Sequence, residues 1–171
     1  SLVTTKTKAI YISSPNTISG QEIVDNIKFE EFVKNVPDNV VLIIDQRYLE
    51  FSAPSKENKD KKYLIGKDYL KHKNVIVIRT FNNYYSIENL ELTYIFTNIK
   101  FADLIRDSQV INPIDKFVED MALKVYKDDY YTKIKIKIKK EREKMMKLFD
   151  ENEIKYFDSN VNFFLVKTHN S

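Results

Sequence analysis

The chain has 171 residues and is 43% hydrophobic, so it can build the core of one domain or of one and a half. Its 28 Lys and Arg against 25 Asp and Glu give a net charge of +3, which is too small to indicate a nucleic-acid partner by itself. With no Cys, two distant His and no apolar run near the roughly 18 residues of a membrane span, we expect a cytoplasmic protein without disulfides, a metal site or a membrane partner.

Three short apolar runs in the first eighty residues predict β-strands, at residues 8–12, 40–44 and 75–78. Between the first two runs, apolar residues at helical spacing predict a helix over 28–36, for which Asp25 or Asn26 is a suitable cap. Strand, helix and strand in this order indicate a βαβ unit in a parallel sheet. Because the runs are apolar on both faces, we expect helices to cover both sides of the sheet.

The segments between and after these strands are polar. Residues 52–62 are rich in Lys and are predicted to form an exposed loop, and 68–73 predict a helical turn. The third strand leads into a polar and aromatic turn at 82–89, and the apolar run at 92–97 predicts a fourth strand. A buried strand that ends in a polar turn is where open α/β sheets bind their ligands, so this turn is a candidate site.

The second half of the chain has a helical pattern. Helices are predicted from residue 98, over 113–125 and from 133 to about 152, and two short strands are predicted at 154–157 and 162–166. Residues 133–139 alternate Lys and Ile strictly, which by period alone predicts a strand. They continue without a break into 140–149, so we predict one long helix instead. Its Lys-rich face could bind phosphate backbones, but Glu residues interrupt it, and no nucleic-acid partner is expected.

Five stretches resemble, in the correct order, motifs of one enzyme family; they are residues 14–20, 44–51, 79–94, 140–144 and 159–167. The first, Ser-Pro-Asn-Thr-Ile-Ser-Gly, is similar to an Asn-Pro-Asn-Asn-Pro-Thr-Gly turn, and the second, Ile-Asp-Gln-Arg-Tyr-Leu-Glu-Phe, to an Asp-Glu-Ala-Tyr-x-Glu-Phe strand end. The third begins Arg-Thr-Phe-Asn-Asn, where the family has Arg-Thr-Phe-Ser-Lys. The family is the fold-type I pyridoxal-phosphate (PLP) aminotransferases, and the likeness is closest to the histidinol-phosphate aminotransferases.

The resemblance implies an α/β fold in two parts. Residues 1–110 are expected to form part of a three-layer α/β/α large domain with a mostly parallel sheet. Residues 111–171 are expected to form the linking helix and the start of an α+β small domain. In this alignment the first part of the large domain and the last part of the small domain are missing, so we expect an oligomer: the chain pairs with itself or with the remainder of its parent protein.

The resemblance also assigns cofactor positions, which remain as remnants at Asn16, Asp45, Tyr48, Thr80 and Asn82. In the family, the Asp pairs with the protonated pyridine nitrogen, the Tyr donates to the ring hydroxyl, and hydroxyl side chains hold the phosphate. Asp45, Tyr48 and Thr80 match these residue types, whereas Asn82 stands at a Ser position.

Other family positions are lost. Asn83 stands at the position of the Schiff-base lysine, and Glu91 stands at the position of the Arg that neutralises the phosphate. Thr17 replaces the Asn that contacts the ring hydroxyl, while Ser86 and Asn89 stand at two glycine positions. An amide is neither a nucleophile nor a base, so no intact catalytic residue and no bound cofactor are expected; PLP is implied by the resemblance alone.

These residues support two main interpretations. The first is a pseudoenzyme, an inactive aminotransferase-like segment with a structural or partner-binding role. The alternative is part of a longer or oligomeric PLP-dependent aminotransferase that transfers an amino group and takes its missing groups from elsewhere. An unrelated α/β binding domain is the third possibility.

Overall fold

The computed structural model describes residues 2–23, 25–52, 66–108 and 113–168. Apart from Ser52, the predicted loop at 52–62 lies outside these ranges, as does the predicted domain boundary at residue 110. Within them, no helix has the length and apolarity needed to cross a membrane. The same ranges contain no group of three His, Cys, Asp or Glu side chains placed to hold a metal ion.

A four-stranded sheet organises the first half of the chain, and its strands are β1 (Ala9–Ser13), β2 (Val41–Asp45), β3 (Val75–Thr80) and β4 (Thr93–Phe96). They lie side by side in chain order, the first three parallel and β4 antiparallel to β3. The register sets Ser13 beside Asp45 and Asp45 beside Ile78. The mostly parallel sheet is therefore confirmed, and the carboxyl ends of three strands meet at one edge.

One face of the sheet is packed against helix α1 (Asn26–Lys34). The Asp25 carboxylate caps this helix by accepting a hydrogen bond from the Lys28 N–H at 2.9 Å, as predicted. Phe29 and Val33 of α1 are buried in one cluster with the sheet residues Leu42, Ile44, Val75 and Val77. This cluster is the main core of the described chain.

The opposite face of the sheet is partly open. Successive side chains of a strand alternate between faces, so Tyr11, Ile43, Ile78 and Ile95 point away from α1. Tyr11 is 53% exposed and Ile95 is 37% exposed, and the other two are half-buried. Within the described ranges, the expectation that helices cover both faces is met on the α1 side alone.

The segments after the strands form short helical turns. Helix α2 (Leu49–Ser52) follows β2, and helix α3 (Asn82–Tyr85) follows β3. The predicted turn at 82–89 is thus α3 followed by a 3₁₀ turn at Glu88–Leu90, and the turn predicted at 68–73 begins earlier, as a 3₁₀ turn at Gly66–Tyr69.

Three longer helices follow the sheet: α4 (Ile99–Ser108), α5 (Lys116–Lys127) and α6 (Tyr130–Glu151). The long helix predicted through the Lys-Ile alternation is confirmed by α6. Large apolar side chains of α4 and α5 face solvent, including Leu104, Phe117 and Tyr126, each more than 60% exposed. These two helices therefore carry apolar surface that the described chain does not cover.

The two strands predicted at the end of the chain are reduced to a single antiparallel bridge. It pairs Tyr156 with Val166, with backbone hydrogen bonds on both sides. Between them the chain turns inward to bury Ser159 and Val161, and the Asn160 N–H donates to the Gly20 carbonyl at 3.1 Å. The contact is so close that a Cβ on Gly20, whose φ is +73°, would lie 2.1 Å from the Ser159 hydroxyl. Packing against this turn therefore limits the pairing to one bridge.

Candidate functional site

The segments that leave the carboxyl ends of β1, β2 and β3 form the candidate site. The Ser14 N–H donates to the Asp45 carbonyl at 3.0 Å, and the Gln46 N–H donates to the Ile78 carbonyl at 2.9 Å, so the strands stay paired to this edge. A second hydrophobic cluster lies among these segments and consists of Phe51, Tyr84 and Val161 with Tyr48, Tyr85, Tyr131, Ile138 and Phe163. Helix α6 contributes two of these side chains and thus packs beside the site.

Asp45 is fully buried at the end of β2, and its carboxylate is held by two side chains of the chain itself. The Arg47 guanidinium donates to Oδ2 from Nη2 at 2.7 Å and from Nε at 2.9 Å, and Nε also lies 3.1 Å from Oδ1. The Arg47 N–H donates to Oδ1 at 3.0 Å, and the Tyr11 hydroxyl donates to Oδ2. These donors surround both oxygens.

The electrostatics of this group follow from burial and pairing. Burial acts to raise the pKa of Asp45, but the hydrogen bonds from Arg47 and Tyr11 outweigh it and hold that pKa below its usual value. Burial and the bond to Asp45 raise the pKa of Tyr11. Asp45 is therefore an ionised carboxylate whose charge is balanced inside the chain by Arg47.

The other retained positions serve the fold in different ways. The Asn16 side chain shapes the turn after β1, because its Oδ1 accepts from the N–H groups of Ile18 and Ser19 at 3.0 and 2.9 Å. Tyr48 packs edge-on against Phe163 of the last segment, with ring centroids 5.3 Å apart. Asn16 thus stabilises its own turn, whereas Tyr48 connects the segment after β2 to the last segment of the chain.

Thr80 is buried at the end of β3, and its hydroxyl is engaged by the chain. It donates to the Leu92 carbonyl at 3.0 Å, and it accepts from the Asn82 N–H at 3.1 Å and from the Thr93 hydroxyl at 3.2 Å. One donated and two accepted bonds are the full capacity of a hydroxyl. The buried Oδ1 of Asn82 has no hydrogen-bond partner within the described residues.

The residues after β3 keep the backbone of a glycine turn. Asn83 is the second residue of α3 and is half-buried. Ser86 ends α3 with φ of 54°, a left-handed conformation that favours Gly, the residue type that the resemblance implies at this position. Glu91 is exposed and also left-handed, with φ of 48°. The left-handed backbone at position 86 is therefore kept although no glycine stands there.

A buried ion pair joins α2 to β3 beside the second hydrophobic cluster. Arg79 donates to the Glu50 carboxylate, and the two side chains are 19% and 14% exposed. Burial, together with the Glu50 charge, raises the pKa of Tyr84 and of Tyr85 to about 12. These phenols are thus hydrogen-bond donors at neutral pH, and the Tyr84 hydroxyl donates to the Tyr131 carbonyl at 2.7 Å.

Lys135 of α6 is the one lysine in the described ranges that is not exposed. Burial lowers its pKa to about 8, although the charges of Glu50 and Glu22 act to raise it, and Arg142 adds to the lowering. An amine with this pKa has a larger neutral fraction at pH 7 than an unperturbed lysine has. Burial therefore weakens the hold of Lys135 on its proton.

The model of the family "Aminotransferase class I and II" matches residues 1–171. The chain belongs to this family. The recognition made from the five stretches is thereby confirmed, and so is the PLP-transferase-like α/β fold.

Individual relatives agree with this assignment. Histidinol-phosphate aminotransferase 2 of Haemophilus influenzae is 28% identical over 162 residues, which are 94% of this chain and 43% of that protein. The structure of the histidinol-phosphate aminotransferase from Clostridium acetobutylicum matches with a TM-score of 0.76 and 25% identity, over 96% of this chain and 48% of that one. The Sinorhizobium meliloti enzyme, solved in complex with pyridoxal-5'-phosphate, matches with a TM-score of 0.78 and 20% identity, over 93% and 42%. The chain spans less than half the length of each.

The retained positions of this aminotransferase-like chain do not fit PLP in the arrangement described. Both oxygens of Asp45 are bound by Arg47 and Tyr11, so a ring nitrogen would find its partner engaged. The Thr80 hydroxyl has no bonding capacity left for a phosphate oxygen.

Sequence reasoning missed the two residues that hold Asp45. Arg47 carried a readable signal, because it stands where the family motif Asp-Glu-Ala-Tyr has Ala, next to the matching Tyr48. Tyr11 carried none. Its contact with Asp45 depends on the register between β1 and β2, which a single sequence does not specify.

Proposed function

We propose that this chain is a non-catalytic aminotransferase-like segment, a pseudoenzyme part with a structural or partner-binding role. The observation that carries the proposal is Asn83, placed where the family alignment expects the lysine that forms the Schiff base. An amide nitrogen neither adds to a carbonyl at neutral pH nor takes up a proton, so the covalent step has no amine at this position.

The test is borohydride reduction in the presence of PLP, followed by intact-mass measurement and peptide mapping. We expect no stoichiometric phosphopyridoxyl adduct on a single lysine. Asn83→Lys alone should not restore transamination, because Glu91 still stands at the position of the phosphate-neutralising Arg and Arg47 still occupies the Asp45 carboxylate. A stoichiometric adduct on one lysine would contradict the proposal.

Lys135 favours a second candidate function, that of a working part of a longer PLP-dependent aminotransferase. It lies on the face of α6 that brings Tyr131 and Ile138 into the second hydrophobic cluster, and its lowered pKa increases the neutral fraction that a Schiff base requires. The same reduction experiment separates the two candidates. An adduct that maps to Lys135 and disappears in Lys135→Met supports the enzyme, whereas modification scattered over exposed lysines at low yield supports the pseudoenzyme.

The structural role that we propose is packing within a larger aminotransferase-like protein. The open sheet face carries Tyr11, Ile43, Ile78 and Ile95, and among the described residues both edge strands, β1 and β4, have one unpaired side. The relatives are more than twice as long as the part that this chain matches. We therefore propose that the covering layer comes from a second copy of the chain or from the remainder of a parent protein.

A further inference from the structure

We propose that Arg47 is a built-in counter-ion that holds the Asp45 carboxylate and closes this end of the site to ligands with a protonated ring nitrogen. The pair lies at the carboxyl edge of β2, where an open α/β sheet offers its ligand contacts. The ligand class concerned is a phosphorylated pyridine, which carries one cationic nitrogen. The closure depends on Asp45, Arg47 and Tyr11 and is independent of any chemistry at Asn83.

The geometry leaves Asp45 no unused acceptor. A carboxylate has about four lone-pair sites in its plane, and a guanidinium fork matches two of them. Here the Arg47 side chain donates at 2.7, 2.9 and 3.1 Å, its backbone N–H donates at 3.0 Å, and the Tyr11 hydroxyl donates as well. A ring N–H⁺ would have to displace one of these donors before it could bind.

Removal of Arg47 from the carboxylate is unfavourable because Asp45 is the more buried of the two partners. The Asp45 side chain is fully buried, whereas the Arg47 side chain is 43% exposed. A buried carboxylate that loses its cation keeps an uncompensated charge, so the cation must be exchanged rather than removed. A cationic ring therefore has to replace Arg47 at the Asp45 carboxylate. It gains less binding free energy there than it would from an ionised carboxylate without a bound cation.

The proposed function and this inference share one premise, the family resemblance that places Asn83 at the lysine position and Asp45 at the ring-nitrogen position. They are tested by different properties. The covalent experiment needs an aldehyde and an amine, whereas the closure of Asp45 is measured with a ring that has no aldehyde. The two results are thus independent. The protein can lack a Schiff base while the Arg47 variants bind the ring more tightly, or form a Schiff base while the Arg47 variants bind no better.

The experiment is a titration of the intact protein with pyridoxine 5'-phosphate, a phosphorylated pyridine without an aldehyde, followed by its fluorescence. Arg47→Ala removes the counter-ion, and Arg47→Met removes the charge but keeps the apolar stem, in case the alanine variant fails to fold. Arg106→Ala is the matched control, because Arg106 is an exposed arginine with its own partner, Asp103, at 3.1 Å. Asp45→Asn combined with Arg47→Met removes both charges.

We expect Arg47→Met or Arg47→Ala to bind about 10- to 100-fold more tightly than the unmodified protein, in line with one recovered charge-assisted hydrogen bond. The gain should disappear when Asp45→Asn is added, and Arg106→Ala should bind like the unmodified protein. Equal affinity of the unmodified protein and both Arg47 variants would overturn the proposal. A gain that persists with Asn at position 45 would overturn it too, since the ligand would then not be using the freed carboxylate.

Discussion

At the scale of single residues, Lys135 has the clearest consequence for stability. Its charged form is disfavoured by burial, which the charges of Glu50 and Glu22 offset in part. Replacing it with Met keeps the length of the side chain and removes the charge. We expect Lys135→Met to raise the free energy of unfolding at pH 7 by about 1–2 kcal/mol, which is less than the full pKa shift implies because the side chain is only partly buried.

The stability gained in Lys135→Met should decrease as the pH rises. The folded pKa, about 8, is below the unfolded value of 10.5, so the unfolded chain binds more protons between these two pH values. The penalty is present below pH 8 and fades as the pH rises toward 10.5. Chemical denaturation of both proteins across this range measures it. Lys137→Met, at an exposed neighbouring position, is the control; a gain that does not change with pH would refute the assignment.

The sequence predicted where Asp45 and Thr80 lie in the sheet, but it did not predict which groups they contact. Asp45 and Thr80 lie at the ends of β2 and β3, as their place after apolar runs indicated. Whether their polar atoms are available depends on register and on turn geometry, which bring Tyr11 to Asp45 and Leu92 to Thr80. Arg47 is an example, because the sequence shows which residue stands at this position but not where its side chain points.

At the scale of elements, α6 shows how continuity outweighs a short periodic signal. Residues 133–139 alternate with period two, yet no Gly or Pro interrupts the 22 residues of α6. A helix also brings Tyr131 and Ile138 to one face, where both join the second hydrophobic cluster. The two predicted terminal strands are reduced to one bridge. Here a distant contact decides the structure, because the burial of Val161 depends on the turn at Gly20.

Proline at position 138 tests this helix. Ile138→Pro removes a backbone donor and places a ring against the preceding turn, so we expect a loss of about 3 kcal/mol or more beyond the loss in Ile138→Ala. Ile138→Ala measures the packing contribution alone. Thermal unfolding followed by circular dichroism compares the three proteins. If the proline variant is as stable as the alanine variant, residues 133–139 are not in the interior of a helix.

At the scale of the whole molecule, the described chain has one packed sheet face, one partly open face and two helices with exposed apolar side chains. The packed face could be predicted from the βαβ pattern, and α1 confirms it. The open face could be anticipated only through the family, because composition does not tell which covering helices a chain supplies itself. Soluble monomers rarely expose large apolar patches.

Light scattering of the 171-residue chain across a dilution series tests the need for a covering layer most directly. We expect a mass above that of one chain at low micromolar concentration. Ile95→Glu should shift the distribution toward the monomer, because it places a charge on the open face, whereas Ile27→Glu, at an 81% exposed position of α1, should not. A stable monomer that unfolds cooperatively at all concentrations would contradict this expectation, since the fold would then need no covering layer.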